Sequence, residues 1–88
     1  MKHARRDYNR IIDPSGEIPE DEPVFLLRGH DKLAPCIVRL YADLNELMGG
    51  KRSISSGLYI WAAKMEEWQK NTGISKLADM PNDVRVAE

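Results

Sequence analysis

Apolar residues are sparse through the first 23 positions and dense from Val24 onward, so the hydrophobic pattern divides the chain at once. Leu33, Ile37, Leu40, Tyr41, Leu44, Leu47 and Met48 recur at three- and four-residue steps, one face of a helix. Asp31 is placed to cap its start, Pro35 falls within the first turn where a missing N–H is tolerated, and Gly49-Gly50 can close its end. Lys51-Arg52-Ser53 lead into a second helix with Ser53 as its cap. It runs from about Ile54 to Lys70 on Ile54, Leu58, Trp61, Ala62, Met65 and Trp68, with Glu66 and Lys70 as an i,i+4 pair and Gly73 as the stop. A connection this short predicts an antiparallel helical hairpin, with the second helix covering the apolar face of the first.

Upstream, Val24, Phe25, Leu26 and Leu27 form a short β-prone run after Pro23. A strand there needs the region around Ile11 and Ile18, or another chain, beside it. Asp13-Pro14-Ser15-Gly16 carries the residues of a tight turn, which predicts a small hairpin or hooked loop. Lys2, His3, Arg5, Arg6 and Arg10 make a basic start that reads as a solvated terminus or an arm for an anionic surface. Glu20, Asp21 and Glu22 oppose it. Downstream, Ile74 and Leu77 are expected to fold back on the hairpin's end, with Ser75 capping a short turn that Pro81 stops. The organisation expected is a charge-segregated arm (1–23), a helical-hairpin domain (24–81) and a loose tail (82–88), mainly α and oligomeric.

The second helix contains an irregularity. Leu58-Tyr59-Ile60-Trp61-Ala62-Ala63 is apolar in every direction around the axis, and a helix apolar all round is buried all round. If the first helix takes the side carrying Leu58, Trp61, Ala62 and Met65, then Tyr59, Ile60 and Ala63 need another neighbour: residues 24–27, or a second copy. An 88-residue chain is also short of core, which favours self-association.

A net charge of −1 disfavours binding of nucleic acid through bulk positive charge. The single cysteine, Cys36, cannot form an intrachain disulfide, and the absence of a long apolar run points away from a membrane; a cytoplasmic protein is expected. Cys36 borders the apolar stripe and reads as a buried structural thiol. With His3 and His30 the only histidines and no paired-ligand spacing, neither a metal, a cofactor nor an enzyme is expected. Gly49-Gly50-Lys51-Arg52-Ser53 lacks the spacing of a phosphate loop. Weaker anion binding at helix starts nominates Arg28, His30 and Lys32 at one end and Lys51, Arg52 and Ser53 at the other, roughly 25 Å apart by helix rise. A helix-turn-helix reading fits the short linker, but the second helix is too apolar beyond its first turn to lie in a groove.

Ile18-Pro19-Glu20-Asp21-Glu22-Pro23-Val24-Phe25-Leu26-Leu27-Arg28, followed by Asp31, Ala34-Pro35 and Met65-Glu66-Glu67-Trp68, resembles a group of small proteins without assigned function from bacteriophage and bacterial genomes. This chain departs from that group at Gly29-His30, at Gly57 and in its basic start. The resemblance implies a protein that acts by binding, such as an inhibitor of a host defence factor in the host cytoplasm. Sequestration of a small anionic ligand such as a cyclic nucleotide is the alternative. It transfers no catalytic or ligand residue.

Overall fold

A computed structural model of the chain describes residues 1–78, so the expectations placed on Pro81 and residues 82–88 lie outside it. Two compact units emerge, one built on Met1–Leu26 and one on Leu27–Leu77.

The second unit is a pair of packed helices, α1 (Ala34–Leu47) and α2 (Arg52–Thr72). Asp31 works one turn ahead of α1: its carboxylate accepts from the Leu33 amide at 2.8 Å and its carbonyl from the Ala34 amide at 3.0 Å. Pro35 sits in the first turn, as expected. Gly49, at φ +80°, reverses the chain, and the Gly50 amide reaches back to the Asn45 carbonyl at 2.7 Å. Ser53 does not cap α2. The extended backbone of Lys51 already presents its carbonyl to the Ile54 amide at 3.1 Å, so the helix starts at Arg52, ahead of the serine. α2 runs on to Thr72 and closes at Gly73, φ +70°, whose amide bonds the Gln69 carbonyl at 2.9 Å.

The faces that meet are not the ones the large residues predict. The buried side of α1 is Ala34, Pro35, Val38 and Ala42, and that of α2 is Ser55 and Ala62, with Leu58, Met65 and Gln69 half-buried beside them. Leu33, Ile37, Leu40, Tyr41, Leu44, Leu47 and Met48 all face outward. Trp61, expected in the seam, is 54% exposed. Small side chains win the seam because they let the two backbones come close enough for polar contact: the Ser55 hydroxyl donates to the Ala42 carbonyl at 3.1 Å. The Asn45 amide then donates to Ser55 Oγ at 2.9 Å and to the Lys51 carbonyl at 3.1 Å. Gln69 locks the far end, its amide nitrogen donating to the carbonyls of Gly29 and Asp31, each at 2.8 Å.

After Gly73 the chain does not turn as the sequence suggests. Lys76 forms a single parallel bridge to Asp31, its amide donating to the His30 carbonyl at 3.0 Å and its carbonyl accepting from the Lys32 amide at 2.9 Å. Exposed backbone groups ahead of α1 offer this extended segment a partner, which a short helical turn would forgo. Ile74 and Leu77 stay exposed.

In the first unit, β1 (Lys2–His3) pairs in parallel with β2 (Pro23–Val24), and an irregular loop containing a short 3-10 turn at Arg6–Tyr8 connects them. The basic start is therefore structured and does not hang free. Lys2 and Ala4 donate to the carbonyls of Glu22 and Val24 at 2.8 and 3.1 Å, so Pro23 is not asked for an N–H. His3 is buried, and its Nε2–H donates to the Ile11 carbonyl at 2.7 Å, leaving Nδ1 without a partner. The anticipated turn at residues 13–16 forms, with Gly16 at φ +70°, but as a hooked loop organised by one carboxylate. Asp13 accepts from the Ser15 hydroxyl at 2.6 Å and from the amides of Ser15, Glu17 and Ile18 at 2.8–3.0 Å. These donors, the Ser15 hydroxyl first, hold its pKa below the ordinary value of 3.8.

Two substitutions test this packing by urea or thermal unfolding. Ala62→Leu, at a position with no exposed surface, is expected to overpack the seam and cost about 1–3 kcal/mol. Gly50→Ala would set its methyl 2.0 Å from Asn45 Oδ1, so Asn45 must abandon Ser55 and Lys51. The penalty should shrink in an Asn45→Ala background, and purely additive effects would rule out the clash as its cause.

Candidate functional site

Seen along its axis, at roughly 100° per residue, α1 carries three sectors: the seam, a charged flank with Arg39, Asp43 and Glu46, and an apolar sector on the other side. α2 is similar, with Tyr59 and Glu66 on one flank of its seam and Ile54, Trp61 and Trp68 on the other. Cross-helix bonds fix how these flanks combine. Arg39 pairs with Glu66, and the Tyr59 hydroxyl donates to the Asp43 carboxylate. The charged flanks are thus joined on one side of the seam, whereas Leu33, Leu40 and Leu47 project from the back of α1 and Ile54, Trp61 and Trp68 from the other side of α2.

Each apolar stripe is ordered. On α1, Leu33, Ile37, Leu40, Leu44 and Leu47 recur at alternating four- and three-residue steps. On α2, Ile54, Leu58, Trp61, Met65 and Trp68 do the same. This is the heptad spacing of helices that pack by knobs into holes. Leu47 and Met48 are 79% and 83% exposed and Ile37 and Trp68 42% and 43%, while Leu58 and Met65, at the edge of the seam, are half-buried. No ionisable group interrupts the α1 stripe; on α2, the Lys64 ammonium lies 4.9 Å from the centre of the Trp61 ring.

The electrostatics lie on the closed flank. The hydrogen bond to Asp43 pushes the Tyr59 pKa up to about 12, aided by desolvation and the negative charges of Asp43 and Glu46. Bonding to Arg39 holds Glu66 below the ordinary carboxylate value and raises Arg39.

The residues singled out in sequence are scattered by this geometry. Tyr59 belongs to the charged flank, and Ile60 and Ala63 are exposed on the sides of α2 away from the apolar stripe. Val24 is half-buried in its strand pair, and Phe25 and Leu26 are exposed beyond it; Leu27, half-buried, opens the helical unit. Arg28, His30 and Lys32 lie at the end pinned by Gln69, whereas Lys51, Arg52 and Ser53 start α2 at the other, so no one chain gathers them. Cys36 is exposed, against the buried thiol expected, because it sits on the back of α1 away from the seam. Glu66, expected to pair along its helix with Lys70, bonds Arg39. Sequence reading missed Asn45, Ser55 and Gln69; their signal was the spacing of Ser55, Leu58, Ala62, Met65 and Gln69, which marks a seam of small and polar residues.

Among the described residues, no group of three or more His, Cys, Asp or Glu side chains is placed to hold a metal ion, and no helix is long and apolar enough to cross a membrane. No protein-family model matches the chain, and comparison with curated proteins and with solved structures gives no match.

Absorbance titration in a Tyr8→Phe, Tyr41→Phe background should show the Tyr59 phenolate forming only near pH 12, moving back toward 10.0 in Asp43→Ala. Because folding raises this pKa, its contribution to stability is complete below pH 10 and is lost as the pH climbs to about 12. An unshifted Tyr59 would remove the Asp43 bond.

Proposed function

We propose that this chain is a non-enzymatic binding protein whose working surface is made by the outward apolar side chains of an antiparallel helical hairpin. The order of the cross-helix contacts supports the hairpin: positions 45, 43, 39 and 31 of the first helical segment meet 55, 59, 66 and 69 of the second. One observation carries the function. Large apolar side chains on the outward sides of both helices, Leu33, Leu40, Leu44, Leu47, Ile54, Trp61 and Trp68, are exposed by 43–79%. So much apolar surface in water is a standing cost unless something covers it.

Inhibition of a bacterial host factor is the narrower form of this reading, and it rests on the resemblance carried by residues 18–28 with Asp31, Ala34-Pro35 and Met65-Glu66-Glu67-Trp68. The alternative, a binder of a small anionic ligand, draws less support, since its two basic clusters lie at opposite ends of the helical pair.

The reading is tested by presenting the tagged chain, wild type and variant, to bacterial lysate and to untagged chain. Wild type and Ile60→Glu should retain a bound macromolecule, either a copy of the chain or another protein, whereas Leu40→Glu should lose it. A wild-type chain that captures neither would overturn the proposal.

A further inference from the structure

We infer that His3 is a proton-operated catch on the N-terminal unit: mild acid separates Lys2–His3 from Pro23–Val24, while at neutral pH and above the pair stays closed.

The strand pair is short. The Lys2 and Ala4 amides donate across it to the carbonyls of Glu22 and Val24 at 2.8 and 3.1 Å, and two residues per strand are not stable by themselves. His3 ties this pair to the loop that follows. Its ring is 4% exposed, its Nε2 lies 2.7 Å from the Ile11 carbonyl oxygen, and it meets the Tyr8 ring edge-on at 6.3 Å between centres.

That bonding fixes where the ring's hydrogen sits. A carbonyl can only accept, so Nε2 carries the hydrogen and Nδ1 is the bare nitrogen of a neutral ring. Nδ1 is buried and has no hydrogen-bond partner. A proton arriving there creates a second N–H with no acceptor and sets a charge out of reach of water. Strengthening the one bond to Ile11 does not offset both. Once the segment opens, the ring takes up the same proton from water in the ordinary histidine range, around pH 6.5. The open form therefore binds more protons than the closed one, and the closed form loses ground as the pH falls.

Neighbouring charges do not reverse the sign. Among the described residues, the charged groups on the segments around the ring are the Met1 ammonium, Lys2, Arg5, Arg6, Asp7, Arg10 and Glu22. Met1 donates to the Pro19 carbonyl, and Asp7 is paired at 2.8 Å with Arg5, whose guanidinium lies 4.8 Å from the centre of the Tyr8 ring. Lys2, Arg6, Arg10 and Glu22 are exposed. Cations predominate, and neither carboxylate bonds a nitrogen of His3.

Amide hydrogen exchange followed by NMR from about pH 8 down to about pH 5, above the carboxylate range, is the test. The amides of Ala4, bonded to Val24, and Ile11, bonded to Tyr8, report on the unit. Corrected for intrinsic rates, their opening constants should rise by up to about tenfold per pH unit below about pH 6.5, the slope of one proton. His3→Gln keeps a donor for the Ile11 carbonyl but takes up no proton, and it should flatten the profile; His30→Gln should leave it unchanged. A flat wild-type profile, or a slope that survives His3→Gln, overturns the inference. Should His3→Gln fail to fold, the ¹⁵N shifts of the wild-type ring decide. The charged imidazolium must belong to the open form, and a charged ring beside a still-protected Ala4 amide overturns the inference as well.

Discussion

The close approach of Ala42 and Ser55 is the constraint from which the rest of the helical unit follows. A serine hydroxyl 3.1 Å from a backbone carbonyl of the facing helix leaves no room for leucine in that layer. Neighbouring layers are accordingly filled by Ala34, Val38 and Ala62. Once the seam belongs to small residues, the large ones on the same helices have only the outside left. Their exposure is thus a consequence of the way the seam is built, and a seam of this kind contributes little hydrophobic stabilisation by itself.

Polar contacts then supply what a thin core cannot, which is uniqueness. Asn45 holds one end of the pair and Gln69 the other, each with two hydrogen bonds, while Arg39–Glu66 and Asp43–Tyr59 latch one flank. Such exposed pairs add little free energy individually. Their effect is to fix rotation: if α2 turned by one residue, every one of these partners would be displaced. The N-terminal unit uses the same economy on a smaller scale. Asp13 collects amide and hydroxyl donors to shape a loop, and His3, buried with one carbonyl partner, anchors a two-residue strand pair too short to be stable alone.

Much of this was legible in the sequence. The helices announce themselves by periodicity, and Gly49 and Gly73 end them in the left-handed conformation for which glycine is suited. What was not legible is which face is inside, because hydrophobic periodicity ranks faces by greasiness and the helices here pair by closeness of approach. Leu33, Ile37 and Leu40 outvote Ala34 and Val38 on any such scale, yet the structure buries the latter. The pairing of Lys2–His3 with Pro23–Val24 was hidden for another reason: a parallel contact between two short segments leaves no local signature, and a basic N-terminal run resembles a solvated one. Tyr59 misled because an apolar ring was read without its hydroxyl, which is the atom that finds Asp43.

The sorting of surfaces also bears on how binding and folding are related in this chain. A helix pair normally gains most of its stabilisation from the face it buries against its neighbour. Here that face is small, and most of the apolar area on α1 and α2 lies outside it. Under the proposed binding reading, folding and association draw on the same side chains, and the stability of the helices is tied by mass action to the concentration of their cover. The latched flank makes the arrangement one-sided, since a partner approaching there would have to displace charged groups already bonded to each other. Under the same reading, affinity falls to the outward residues of the stripes Leu33 to Leu47 and Ile54 to Trp68, where shape and heptad register decide what fits.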